Sequence, residues 1–131
     1  MLPLRLQWLW LGAGWLVVAA VCAGSLLPPA GMPWLRGLLR IEFGEELLHA
    51  GAYFVLMIWF AGLCQRRLYG VVAVLLVALG AALDFLQLGI PSRSFDPLDI
   101  VANALGIGVG LCAALWLIGG WCQRIERRLF A

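Results

Sequence analysis

The sequence predicts an all-α membrane protein, a single domain over residues 1–131 built as a bundle of four transmembrane helices. The chain is 64% hydrophobic and only 12% charged, about half the charged fraction of an ordinary soluble domain. Four apolar runs have the roughly 20 residues that a helix needs to cross the hydrocarbon core. The net charge of +2 is too small to indicate nucleic-acid binding.

Prolines and arginines separate the four apolar runs. The first run, WLWLGAGWLVVAAVCAGSLL, ends at Pro28-Pro29, the second is followed by Arg66 and Arg67, and the third precedes Pro91. The predicted spans are 8–27, 47–64, 69–89 and 99–118. A cleaved signal peptide is an alternative for the first run, because Arg5 precedes it. Its apolar core, however, exceeds the 7–15 residues typical of signal peptides, which favours a retained helix.

The arginines are distributed unequally between the two sides of this predicted bundle. One side carries net +5 from Arg5, Arg66, Arg67, Arg124, Arg127 and Arg128, with Glu126. The other carries net −3 from Arg36, Arg40 and Arg93 with Glu42, Glu45, Glu46, Asp84, Asp96 and Asp99. Because arginine-rich loops stay in the cytoplasm, both termini are predicted to be cytoplasmic. The loops 28–46 and 89–98 then face outward, and the first is either an interfacial amphipathic helix or an ordinary loop packed on the bundle.

Polar residues enter the spans near this outer end. Since consecutive spans run in opposite directions, these residues converge at one depth and form the predicted ligand-binding site. The candidates are Glu45, Glu46, His49, Tyr53, Asp84, Gln87, Arg93, Ser94, Asp99 and Asn103. On one helix, residues separated by three, four or seven positions share a face, as Glu46, His49 and Tyr53 do.

Energetics predict an inward orientation for the acid of the third span. An aspartate facing lipid at mid-membrane costs roughly 2.5–3.5 kcal/mol, so Asp84 is expected to face Arg93 or His49 inside the bundle. Asp99 is predicted to cap the fourth helix as well, since aspartate is a favoured N-cap, whereas Asp96 is interpreted as a solvated loop acid. Asn103 and Gln87 are also candidates for interhelical hydrogen bonds.

A stripe of small residues marks one face of the fourth span. Such a stripe allows close helix packing, here against another helix of the same bundle or, alternatively, in a homodimer or with a membrane-protein partner. The residues are Ala102, Gly106, Gly110 and Ala114. The cysteines match no zinc or Cys-x-x-Cys spacing and are interpreted as packing residues. They are Cys22, Cys64, Cys112 and Cys122.

The order of these motifs resembles the VanZ-like family of small bacterial membrane proteins, named for a member linked to teicoplanin resistance. The matching elements cover roughly residues 25–110. They are Ser25-Leu26-Leu27-Pro28, Glu45-Glu46-Leu47-Leu48-His49, Tyr53, Asp84-Phe85-Leu86-Gln87, Arg93-Ser94, and Asp99-Ile100-Val101-Ala102-Asn103-Ala104-Leu105-Gly106. The resemblance implies a four-helix fold in the bacterial inner membrane and a role in glycopeptide tolerance or envelope polysaccharide production. Two positions depart from the family pattern, since Glu46 replaces a usual lysine and Asp84 a usual glutamate.

Three functions fit these residues. The first is binding of an amphiphilic ligand, a membrane lipid or lipid-linked glycan, at the outer polar site. The second is an enzyme acting on a lipid-linked envelope substrate, with Glu46 or Asp84 pairing with His49 in acid–base catalysis. The third is an accessory subunit of a larger complex. No nucleotide loop or zinc signature is present, so no cofactor or metal site is predicted, with an ion held by Glu46, Asp84 and Asp99 left as an alternative.

Overall fold

The computed structural model describes residues 1–26, 37, 42–90 and 96–130, and it confirms the all-α bundle predicted from the sequence. Among these residues, four long apolar helices have the length and composition to cross a membrane. A fifth, short helix follows them. The helices are α1 (Gln7–Leu26), α2 (Gly44–Leu63), α3 (Tyr69–Gln87, after a 3-10 turn Arg66–Leu68), α4 (Pro97–Ala113, continued by a π-helical turn Ala114–Ile118) and α5 (Trp121–Leu129).

The predicted spans agree with these helices to within two residues at each end, apart from the start of α2. Helix α2 begins at Gly44, three residues before the predicted span, because Glu45 and Glu46 belong to its first turn. Acidic side chains are favourable there, at the positive end of the helix dipole. Helix α4 begins at Pro97, since proline suits the first helical position. Most of the loop 28–46, with its predicted interfacial helix, lies outside the described residues.

Helix α2 is the central element of the bundle and contacts all four other helices. Its buried side chains Tyr53, Leu56, Met57 and Ala61 form the middle of the hydrophobic core. Large apolar side chains cover the outside instead, with Trp8, Leu16, Val74 and Trp116 strongly exposed. This apolar exterior is what a lipid-facing surface requires, and the protein is therefore a multi-pass membrane protein.

Helices α2 and α4 approach each other most closely along the small-residue stripe. A Cβ atom at Gly106 would overlap the backbone carbonyl of Ala50, and one at Gly110 would lie 2.8 Å from the Cβ of Met57. All four stripe residues are buried within the chain. The stripe thus packs inside the bundle, and contact with a second protein would have to use other residues.

The end of the bundle that holds both chain termini is fastened by Glu126 of α5. Its carboxylate accepts hydrogen bonds from the backbone N–H groups of Arg5 (2.6 Å) and Leu6 (2.8 Å) and from the indole of Trp10 (3.0 Å). Burial alone would raise the pKa of Glu126, but these hydrogen bonds outweigh it and hold the pKa below its ordinary value. The contact ties the N-terminal segment to the last helix, a function that the sequence did not reveal.

Three tryptophans pack around this fastening. Trp10 and Trp59 each contact Trp121 edge to face, with ring centroids 5.3 and 5.4 Å apart. The Trp59 indole donates to the carbonyl of Trp10 at 3.1 Å, and Trp121 donates to the carbonyl of Ile58 at 3.0 Å. Buried indole N–H groups require such partners, so the cluster fixes α1, α2 and α5 together.

Replacing Gly106 by alanine is expected to destabilise the bundle by about 1–3 kcal/mol, because the added methyl group forces α2 and α4 apart. Gly108 is the matched control, since it is exposed and a Cβ there meets nothing within 4 Å. Gly108→Ala should be neutral or stabilising by up to about 1 kcal/mol, because alanine is the better helix former. Thermal unfolding in detergent measures the stability of both variants. Equal midpoints for Gly106→Ala and Gly108→Ala would refute the close packing of α2 and α4.

Acid should weaken the stabilisation that the ionised carboxylate of Glu126 contributes. Because the folded-state pKa lies below the unfolded value of about 4.3, the stabilisation is complete above that pH and is lost as the pH falls through the folded pKa. Thermal midpoints of wild type and Glu126→Gln measured between pH 7 and pH 3 should therefore differ most at neutral pH and converge in acid. A difference independent of pH would show that ionised Glu126 does not stabilise the fold.

Candidate functional site

The candidate site lies at the opposite end of the bundle from Glu126, where α2 begins, α3 ends and α4 begins. Its side chains form what we call the polar layer: Glu45, His49, Tyr53, Asp84, Gln87, Asp99 and Asn103. Tyr53, Asp84, Gln87, Asp99 and Asn103 are each at most 5% exposed. Polar groups so deeply buried need partners within the protein or in a ligand.

His49 connects α2 to α4. Its Nδ1 lies 3.1 Å from Oδ1 of Asn103, and its Nε2 lies 3.7 Å from Oδ2 of Asp99. The small-residue stripe explains why these side chains meet. His49 precedes Ala50, whose carbonyl faces Gly106, and Asn103 lies one helical turn before Gly106. The close backbone approach therefore brings the imidazole within reach of both α4 side chains.

Asp84 is a buried acid of the polar layer with one oxygen that is unsatisfied within the described part of the chain. Its side chain comes from α3 and interacts electrostatically with His49 and Tyr53. Among the described residues, however, its buried Oδ2 atom has no hydrogen-bond partner, and neither does the hydroxyl of Tyr53. An uncompensated buried carboxylate is strongly unfavourable, so this site has hydrogen-bonding capacity left for another group.

Gln87 and Ser25 join α3 to α1 at this end of the bundle. The side-chain amide of Gln87 donates a hydrogen bond to the backbone carbonyl of Ser25 at 2.9 Å, and both residues are buried. This is the interhelical hydrogen bond for which the sequence made Gln87 a candidate. Gln87 thus supports the packing that surrounds the polar layer.

Asp99 is not the N-cap of α4, which corrects the sequence-based prediction. Asp96 occupies that position, and its side chain accepts a hydrogen bond from the backbone N–H of Leu98 at 2.9 Å. Asp99 lies in the first turn, is buried, and faces His49. The signal was present in the sequence as Asp96-Pro97, because a proline at the first helical position places the cap immediately before it.

Glu45, rather than Glu46, accompanies His49 and Asp99. Potential ligand atoms of these three residues all lie within 4.8 Å of one another. Glu46 is half-buried in the first turn of α2 and is not a member of this group. The group also differs from Glu46, Asp84 and Asp99, the alternative metal ligands that the sequence left open.

Two candidate residues of the outer loop, Arg93 and Ser94, lie outside the described residues. The pairing of Arg93 with Asp84 therefore stays a prediction. No protein-family model, curated protein or solved structure matches this chain. The VanZ-like resemblance accordingly stays a prediction as well.

The orphaned carboxylate of Asp84 leads to a stability prediction. Asp84→Asn keeps the shape of the side chain and removes a buried charge, so the thermal midpoint should stay the same or rise. Gln87→Leu should lower the midpoint, since it removes a buried hydrogen bond with a net contribution of about 0.5–1.5 kcal/mol. A midpoint that drops more for Asp84→Asn than for Gln87→Leu would show that Asp84 is a paired structural residue.

Proposed function

We propose that this chain is a VanZ-like integral membrane protein of the bacterial cell envelope. In this proposal its polar layer faces the outer side of the inner membrane and binds a lipid-linked glycan. The observation that carries the proposal is the unsatisfied capacity of Asp84 and Tyr53. A purely structural layer would satisfy its own groups, because each unpaired buried polar group costs about 1–3 kcal/mol.

The chemistry of the layer favours a ligand rich in hydroxyl groups. Ionised carboxylates accept hydrogen bonds and donate none, so Asp84 and Asp99 suit the O–H donors of a sugar. Asn103 and Tyr53 carry further polar groups beside them, with the Asn103 Nδ2 and Tyr53 Oη atoms both 3.2 Å from a Cβ position at Gly80. Together these side chains would orient a sugar ring at the bundle end.

The surface around the layer favours a ligand with an apolar tail. Phe85 and Leu86 are exposed beside Asp84, and Leu88 is exposed after the end of α3. Leu47 is exposed two residues before His49. In the membrane these apolar side chains provide a surface for the acyl or prenyl chain of a lipid-linked molecule. Arg93 is the predicted cation for its anionic group, since guanidinium binds phosphate bidentately.

A catalytic role is the second candidate, and the His49–Asp99 contact favours it. An imidazole and a carboxylate at this distance can serve together as a general acid–base pair, so the reacting pair would be His49 with Asp99. The sequence-based pairing of Glu46 or Asp84 with His49 stays a prediction. The substrate would be the same lipid-linked glycan, and chemical change of the bound glycan distinguishes an enzyme from a binding protein.

Binding to nanodiscs tests the proposal. The protein is reconstituted in phosphatidylcholine nanodiscs and titrated with a fluorescent prenyl-phosphate-linked disaccharide. Arg93→Ala should weaken binding about 10- to 100-fold, because a hydrogen bond to a charged group contributes about 1.5–3 kcal/mol. Asp84→Asn should also weaken it, since the neutral amide is the poorer acceptor.

Arg67→Ala is the control for this titration. It removes the same charge from an exposed residue in the 3-10 turn before α3, at the other end of the bundle. It should therefore bind as wild type does. Equal affinities for wild type, Arg93→Ala and Asp84→Asn would exclude the polar layer as the glycan site.

A further inference from the structure

The hydrogen bond between His49 and Asn103 determines which nitrogen of the imidazole is available. Oδ1 of Asn103 is an acceptor, so Nδ1 of His49 donates its hydrogen. In the neutral ring the other nitrogen, Nε2, then carries a lone pair. Histidines that bind metal ions are typically oriented in this way, with the second ring nitrogen donating to a carbonyl or carboxylate oxygen.

The lone pair of His49 faces another acceptor. Nε2 lies 3.7 Å from Oδ2 of Asp99, beyond the 2.7–3.2 Å of a hydrogen bond. Two ligand atoms that are each about 2.0–2.2 Å from one metal ion lie roughly 3–3.5 Å apart. A ligand oxygen of Glu45 completes the group, with all three atoms within 4.8 Å of one another. Small side-chain movements would therefore place all three around one cation.

Asp84 adds a second, independent indication of a cation. Its side chain is 4% exposed, Oδ2 has no hydrogen-bond partner among the described residues, and it interacts electrostatically with both His49 and Asp99. The layer thus places three carboxylates, those of Glu45, Asp84 and Asp99, around one imidazole. A divalent cation among these side chains would offset negative charge on the carboxylates.

From this geometry we infer that Glu45, His49 and Asp99 bind a divalent transition-metal ion, Zn²⁺ or Mn²⁺, with Asp84 beside it as a neutralising carboxylate. An imidazole nitrogen with two carboxylate oxygens suits these ions, whereas Ca²⁺ and Mg²⁺ prefer oxygen ligands alone. Asn103 is a positioning residue, because it orients His49. The inference deepens the proposed function. The metal site itself does not depend on that function, but the role of the ion does: its remaining coordination positions would bind the phosphate of the lipid-linked glycan.

Metal titration without lipid tests the inference. Protein purified without a histidine tag is stripped with a chelator, dialysed against Zn²⁺ or Mn²⁺, and analysed for bound metal per chain. Wild type should bind one ion, and His49→Gln or Asp99→Asn should bind it at least tenfold more weakly. Asn103→Ala should weaken binding about 10- to 100-fold, as loss of the hydrogen bond that orients a ligand does.

Two matched acids serve as controls. Asp96→Asn removes the same charge three residues before Asp99 and keeps a capping side chain, and Glu42→Gln alters an exposed acid three residues before Glu45. Both should bind one ion with wild-type affinity, whereas Glu45→Gln should bind at least tenfold more weakly. Losses in the controls equal to those in Asp99→Asn and Glu45→Gln, or no stoichiometric binding by wild type, would overturn the inference.

Cobalt substitution identifies the ligand atoms. Co²⁺ bound by His49 and carboxylates should give visible absorption bands without the strong near-ultraviolet band of thiolate ligation, and the latter would assign the ion to a cysteine and overturn the inference. The two proposals fail separately. A protein that binds metal but no glycan would refute the proposed function and leave the metal site standing. A protein that binds glycan but no metal would refute the metal site and leave the proposed function standing.

Discussion

The close approach of α2 and α4 is the constraint on which the rest of the structure depends. It exists because Gly106 leaves room for the carbonyl of Ala50, and a single methyl group there would separate the helices. The same contact places His49 beside Asn103 and Asp99. A packing feature of the apolar core therefore positions the chemistry at the end of the bundle.

The buried acids at the two ends of the bundle differ in their hydrogen bonding. Glu126 receives three hydrogen bonds and ties the N-terminal segment to α5. Asp84 is equally buried, yet one of its oxygens has no partner among the described residues. Natural proteins sacrifice stability in this way mainly where activity or binding needs it. The contrast distinguishes a carboxylate that is satisfied within the fold from one that has hydrogen-bonding capacity left for another group.

Hydropathy is sufficient to predict the four spans, and their alternating directions bring His49, Asp84 and Asp99 to one depth. The start of the apolar run at residue 99 favours Asp99 as the cap, whereas Pro97 favours Asp96, and the structure has Asp96 in that position. The fastening by Glu126 was not predictable, since it joins residues about 120 positions apart and no periodic pattern records such a contact. The sequence also could not show which of the adjacent residues Glu45 and Glu46 lies beside His49 and Asp99, because that depends on side-chain geometry.

The central claim, that Nε2 of His49 and the carboxylates of Asp99 and Glu45 bind one cation, has a direct measurement. His49 is the chain's one histidine, so the imidazole signals in a ¹⁵N spectrum of labelled protein belong to it alone. The account predicts that the Nε2 resonance moves on addition of one equivalent of Zn²⁺, while Nδ1 keeps the proton that it donates to Asn103. An imidazole spectrum that Zn²⁺ leaves unchanged would contradict it.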